Sequence, residues 1–339
     1  MKRFVPMLLI LSLAIVTPAF ADKIVRIGVG TNGTNVEIRA LDHGRMNVAP
    51  ISSVARLQSV FFSLECFVNS DCSTLKAEHE QDLETLRPEE IAPALREEGE
   101  KLLGPFADLI DAADEVRFQI DWSLLKVPFD LLYLSGSPVF VTKKISYTVG
   151  GPGRVQQAPS RDWAGLLISD QSADPQRAIF GIERRFPKSQ SFDVTEFELS
   201  RLRAMEPVDF VAVSGHGFVD GNGDGFIELG NGEKLQPGSL MTVRPKLVYF
   251  DSCNLGISAA HLRKLRDGGT VYAVAPILSN EAGDSSTATI EAFFSELANG
   301  VDPITALFRA RSKLYERYAS DDIRTMLWRA FPFRVYQLN

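Results

Sequence analysis

Two residues in this chain could together perform nucleophilic acyl transfer: Cys253 and His216. Each closes an apolar run. Val208-Asp209-Phe210-Val211-Ala212-Val213 leads into Ser214-Gly215-His216-Gly217, and Lys246-Leu247-Val248-Tyr249-Phe250 leads into Asp251-Ser252-Cys253-Asn254. The thiolate is the attacking species, and an ordinary thiol with a pKa of about 8.5 is mostly protonated at neutral pH. An imidazole within reach can take that proton and later give it to a leaving amine. Glycine at 215 and 217 lets the backbone adopt conformations a larger residue resists and lets a substrate come close.

Positioning this pair is a task for strands. Both apolar runs read as buried strands, and adjacent parallel strands would end at one edge of a sheet. Open α/β sheets hold their ligands at that edge. Asp251 precedes Cys253 by two residues, and alternate strand residues share a face, so its carboxylate is expected beside the thiol. Asp170 closes another short apolar run, Ala164 to Asp170, as a second acid at the same edge or as a turn cap.

The surrounding chain has a strand–helix rhythm. Helical spacing is seen from Glu196 to Met205, Ser258 to Arg266, Ser285 to Ala298 and Pro303 to Tyr318, with an apolar strand from Thr270 to Ile277. Strands alternating with helices imply a mostly parallel sheet flanked by helices. Upstream, Lys23 to Val29 and Val36 to Leu41 flank the turn Thr31-Asn32-Gly33-Thr34, a hairpin signature. Thr74 to Glu100 is charged and helix-prone. Val116 to Ile120 and Val139 to Tyr147 read as strands, and Gly150 to Ser160 as a loop.

The chain has 339 residues, 45% of them hydrophobic and 23% charged, with a formal net charge of −7. That is an ordinary globular profile, and without a basic block no nucleic-acid partner is expected. Lys2 and Arg3, the apolar stretch Val5 to Val16 and Ala19-x-Ala21 read as a bacterial signal peptide over residues 1–21. Its apolar run is too short for a span of roughly 20 residues. A secreted or periplasmic protein with no stable membrane span is therefore expected. Of three cysteines, Cys66 and Cys72 sit close together in a loop-like stretch and suit a disulfide, which leaves Cys253 as the free thiol.

Ser214-Gly215-His216-Gly217 with Asp251-Ser252-Cys253 resembles the motif pair of the caspase-like cysteine peptidases, the metacaspases most of all. The flanking chain resembles the CHAT branch of that fold. The likeness runs through Leu109 to Tyr147, with Pro128-Phe129-Asp130-Leu131-Leu132 in place of Pro-Trp-Glu-Leu-Leu. It continues from Gly269 to Phe294, with Ala282-Gly283-Asp284, and through a closing strand from Arg329 to Tyr336. It departs at Asp251, where the branch has a small residue, and at Asn254-Leu255-Gly256. It spans roughly residues 100–339. The resemblance implies a caspase-like sheet over 99–339, preceded by a small β-hairpin and helical region over 22–98. It also implies a His216/Cys253 endopeptidase with backbone N–H groups of Gly217 and Cys253 as the oxyanion hole. Asp170 and Asp251 would receive an arginine or lysine of a protein or peptide substrate, since two carboxylates favour a cationic guest. An inactive CHAT-type module that binds a peptide is the other reading.

No cofactor is needed for such a dyad. One stretch, Asp220-Gly221-Asn222-Gly223-Asp224-Gly225, has the oxygen spacing of a calcium loop at Asp220, Asn222 and Asp224. It lacks the closing glutamate, for which Glu228 and Glu233 could substitute, and reads more readily as a glycine-rich hairpin tip.

Overall fold

The computed structural model describes residues 23–42, 45–69, 85–149, 158–219, 224–320 and 322–338. The predicted signal peptide, Cys72, residues 74–84 of the charged stretch, residues 150–157 of the expected loop and the Asp220–Gly223 part of the candidate calcium loop lie outside them. Among the described residues, one twelve-stranded mixed sheet runs through the molecule. We number its main strands, with those of a small side sheet, in chain order. They are β1 (Ile24–Thr31), β2 (Asn35–Asp42), β3 (Arg45–Val48), β4 (Glu115–Ile120), β5 (Lys144–Val149), β6 (Gly165–Ser169) and β7 (Gln190–Asp193). Then come β8 (Phe210–Ser214), β9 (Gly217–Val219), β10 (Gly225–Glu228), β11 (Lys234–Leu235), β12 (Leu247–Asp251), β13 (Tyr272–Pro276) and β14 (Phe333–Gln337).

The sheet order is β7-β6-β8-β12-β13-β14-β5-β4-β1-β2-β3, and Ser52–Ser53 adds a short pairing to β2. β7, β6, β8, β12 and β13 are mutually parallel. β14 runs antiparallel to β13 and parallel to β5, β4 and β1 follow in parallel, and β2 turns back. The chain is thus α/β with a mostly parallel sheet. The N-terminal hairpin is not set apart from this sheet, because β1 pairs with β4 along Ile24–Val29. Residues 98 and 99, the expected division, fall inside the helix Pro88–Leu102.

The longer helices among the described residues are α1 (Val54–Asn69), α2 (Pro88–Leu102), α3 (Ala259–Asp267), α4 (Asp284–Ala298), α5 (Pro303–Tyr318) and α6 (Ile323–Ala330). They cover both faces. Leu167, Ala212, Tyr249 and Val274 face Ile290, Phe293, Phe294 and Leu307 of α4 and α5. The alternate residues Ile168, Val213, Phe250 and Ala275 join the core that holds Leu262 and Leu265 of α3. Burial on both faces explains why these strands are apolar throughout rather than alternating. α5 begins where Pro303 suits a first turn, and the Asp302 side chain accepts the Ile304 and Thr305 N–H groups.

Three local expectations change. Val139–Thr142 is a short helical turn that precedes β5, and Glu196 to Met205 forms a 3-10 segment at Leu199–Ala204. Cys66 is not in a loop. It lies buried on α1, whose Leu57, Val60, Phe61, Leu64 and Val68 recur at helical spacing. Cys253 is a free cysteine.

The Pro-Phe-Asp-Leu-Leu segment has a structural reason. Asp130 is fully buried and accepts Arg334 Nη2 at 2.7 Å and the Tyr147 hydroxyl at 2.9 Å, with Arg311 at 3.7 Å. One carboxylate therefore offsets part of the charge of two buried guanidinium groups, Arg334 more closely than Arg311, and ties the closing strand β14 to the segment before β5.

Candidate active site

β8 and β12 are neighbours in parallel, with Ser214 opposite Asp251. His216 and Cys253 therefore leave the same edge, two residues beyond each strand. Behind His216, a Cβ on Gly217 would come within 2.6 Å of the Cys253 carbonyl oxygen and 3.0 Å of Ser252. Only glycine lets the two motif loops pack this closely. A Cβ on Gly256 would come within 2.8 Å of the Pro276 carbonyl, so the Cys253 loop is also pressed against the end of β13. Asn254 holds φ at +60°, a left-handed turn that asparagine tolerates, and its Nδ2 donates to Glu65 of α1 at 2.6 Å. The Tyr336 hydroxyl donates to the Gly256 carbonyl at 2.6 Å. The thiol-bearing loop is thereby fixed from α1, β13 and β14.

The imidazole is oriented by the loop after β6. Ser172 Oγ lies 2.9 Å from His216 Nε2 and 2.7 Å from Asp170 Oδ1. A serine hydroxyl carries one proton, and an ionised carboxylate only accepts. Both contacts hold a proton only if Ser172 donates to Asp170 and His216 Nε2–H donates to Ser172. Nε2 is then the protonated nitrogen, and Nδ1 keeps the lone pair that a base requires. A positive charge formed on the ring would be felt by Asp170 through Ser172. His216 and Ser172 are both exposed, and Asp170 is half-buried.

Asp251 is placed differently from its expected role. It is 3% exposed, and its oxygens accept Ser214 Oγ at 2.6 Å, Asn280 Nδ2 at 2.7 Å and the Ser286 hydroxyl. Burial pushes its pKa up to about 6, against the pull of the Ser214 and Ser286 hydrogen bonds. Its acceptor sites are thus filled from within the protein. Asp170 is the more open carboxylate: Oδ1 accepts the Ser172 N–H and hydroxyl, and the backbone carbonyl accepts the Asp174 N–H, the geometry of a turn cap.

Asn280, on the loop after β13, bridges the two halves of the site. Its Nδ2 donates to Asp251, and its Oδ1 accepts the Cys253 thiol at 3.5 Å. Burial pushes the thiol above its ordinary value, opposed in part by a backbone hydrogen bond from Asn280. Cys253 therefore rests as a thiol and not as a preformed thiolate. Alkylation by iodoacetamide should rise about tenfold per pH unit between pH 6 and 8, with an inflection above that of an ordinary free thiol. A plateau already reached below pH 7 would contradict it.

Ser172, Asn280 and Glu65 were not singled out from the sequence. Nothing in their local spacing marks them, since each reaches the site from a separate loop or helix. Another histidine, His261, is buried in α3, and burial lowers its pKa to about 4. Its Nδ1 lies 3.1 Å from the Gly225 carbonyl, so it serves as a neutral donor that ties α3 to β10.

Of the candidate calcium ligands, Asp224 faces the Lys264 ammonium at 3.6 Å, and Glu233 accepts the Leu199 N–H and the Asn231 amide. No group of three or more His, Cys, Asp or Glu residues suited to a metal ion occurs among the described residues. Among them, no helix is long and apolar enough to cross a membrane.

No protein-family model matches the chain, and no curated protein matches it. Among solved structures, the chain is similar to the Arg specific cysteine proteinase gingipain R. Identity is 12% and the TM-score 0.47, over 81% of this chain and 73% of that chain.

Proposed function

We propose that this protein is an exported cysteine endopeptidase in which Cys253 attacks the scissile carbonyl and His216 moves the proton. The observation that carries this reading is the Asp170–Ser172–His216 chain, which presents Nδ1 as a base on the loop packed against Cys253. As a substrate carbonyl arrives, the thiol sulfur bonds to its carbon and the thiol proton passes to Nδ1. The carbonyl oxygen becomes an oxyanion, for which the backbone N–H groups of Gly217 and Cys253 are the proposed donors. The intermediate collapses, the carbon–nitrogen bond breaks, and Nδ1–H protonates the leaving amine. Water, deprotonated by His216, then hydrolyses the thioester and releases the thiol.

Asp170, half-buried at this edge and with Oδ1 alone engaged by Ser172, supports a preference for arginine or lysine before the scissile bond. Asp251 would act behind it, as a buried negative charge once ionised. Peptides with Arg or Lys at one position should be cleaved at least about tenfold faster than the same peptides with norleucine. Equal rates would remove the basic preference, and no cleavage of any peptide would remove the peptidase. Export rests on the Lys2-Arg3 start and Ala19-x-Ala21.

One observation favours a second reading, a non-catalytic peptide-binding module. The Cys253 thiol donates to Asn280 rather than to the imidazole, and burial keeps it protonated. Such a module would bind a peptide with the same affinity in the wild type and in Cys253→Ala, and leave it intact in both.

A further inference from the structure

The small sheet that follows His216 exposes an aromatic pair the dyad does not use. Phe218 and Phe226 are directly opposed across β9 and β10, with ring centroids 5.5 Å apart and planes at 22°. The Lys234 ammonium lies 4.1 Å from the Phe226 ring centroid, so Phe226 is engaged by both neighbours. Phe218 remains 44% exposed. Among the described residues the other exposed large hydrophobics are Ile24, Val48 and Ile51, all of the N-terminal hairpin region. Phe218 is thus the exposed apolar side chain beside the candidate site.

Cross-strand aromatic pairs steady a hairpin wherever they occur. This one stands in a particular place. Gly217 packs against the Cys253 carbonyl, and the residues on either side of it, His216 and Phe218, are both exposed. His216 must give its proton to the leaving nitrogen, so the substrate chain beyond that nitrogen runs out past His216. Two strand residues span about 6.6 Å, the reach of about two extended substrate residues. We propose that the Phe218–Phe226 pair is a subsite for an apolar side chain at the first or second position after the scissile bond. This deepens the peptidase reading and rests on it. Apolar area removed from water at the open Phe218 ring drives the contact, and an aromatic guest would add ring stacking.

The test uses internally quenched peptides identical up to the scissile bond, with Leu or Phe against Ser at the next two positions. The wild type should cleave the apolar series with a kcat/KM about tenfold higher. Phe218→Ala should lose that preference, and Phe218→Leu should keep much of it. A peptidyl chloromethyl ketone, which fills only the positions before the bond, should label Cys253 at the same rate in all three proteins, which also shows that each is folded. Cleavage with the same apolar preference in Phe218→Ala as in the wild type, labelling being equal in both, would overturn the subsite alone. Absence of both cleavage and labelling in the wild type would overturn the peptidase reading, and the subsite with it.

Discussion

Cys253→Ala should reduce peptide cleavage by about 10⁴-fold or more and leave the urea midpoint within experimental error. Removing a nucleophile that acts as a unit with its base leaves only binding and the oxyanion donors. The fold should tolerate the change because Cys253 is part-exposed and the loop is held by other contacts: Asn254 to Glu65, and Tyr336 to the Gly256 carbonyl. His216→Ala should fall by a similar factor, since the thiol, held above its ordinary pKa by partial desolvation, depends on a base to become a thiolate. Ser172→Ala should lose about 10-fold to 100-fold. It retains the base but frees the ring to rotate and removes the link to Asp170, and small misplacements of a catalytic group have costs of this size. The order Cys253→Ala ≈ His216→Ala ≪ Ser172→Ala in residual activity separates orientation from chemistry. Equal activity of Ser172→Ala and the wild type would show that the Asp170–Ser172 chain does not position the imidazole.

Asp130→Ala should lower stability by about 3–5 kcal/mol, read as a fall in the urea midpoint with an unchanged slope. Asp130 is the shared counter-charge of two buried guanidinium groups, each 1% exposed. Their pKa values move in opposite directions for a geometric reason. Burial presses both down, but Asp130 at 2.7 Å overcomes it for Arg334, while at 3.7 Å it does not for Arg311. Arg334 also donates to the Leu125 and Val127 carbonyls and stacks 4.1 Å from the Tyr147 ring centroid. Alanine at 130 would leave two buried positive charges with carbonyl partners alone. A loss below about 1 kcal/mol would show that these carbonyls suffice. Because Asp130 lies far from the dyad in sequence and packs β14 against β5, the loss should appear in stability and in temperature tolerance of activity, not in substrate preference.

Much of the sheet was legible because its strands are buried on both faces. Continuous apolar runs such as Phe210 to Val213 and Leu247 to Phe250 can hardly be anything else, and turn residues mark their ends. The joint edge of His216 and Cys253 followed from that. α1 is less legible because Cys66 and the polar residues that follow it look like a loop, although Leu57, Phe61, Leu64 and Val68 recur at helical spacing. The segment Glu196 to Met205 has helical spacing, yet it folds as a 3-10 stretch, so spacing over ten residues did not fix the kind of helix. Asp251 was placed on the right strand, but its partners, Ser214, Asn280 and Ser286, come from three separate elements that no local pattern joins. Ser172 was invisible for the same reason: its role depends on the parallel register of β6 and β8, which brings Asp170 beside the end of the His216 strand. The sequence allows Asp170 to be a substrate ligand or a turn cap, and it occupies the cap geometry while also anchoring Ser172.

The most direct measurement is covalent labelling of the purified protein with a peptidyl chloromethyl ketone carrying arginine, followed by peptide mass spectrometry. One adduct per chain on Cys253 is predicted, with labelling slowed at least about 100-fold in His216→Ala and competed by a cleavable peptide. No adduct on Cys253, or an adduct formed equally fast in His216→Ala, would contradict a His216-activated Cys253 nucleophile.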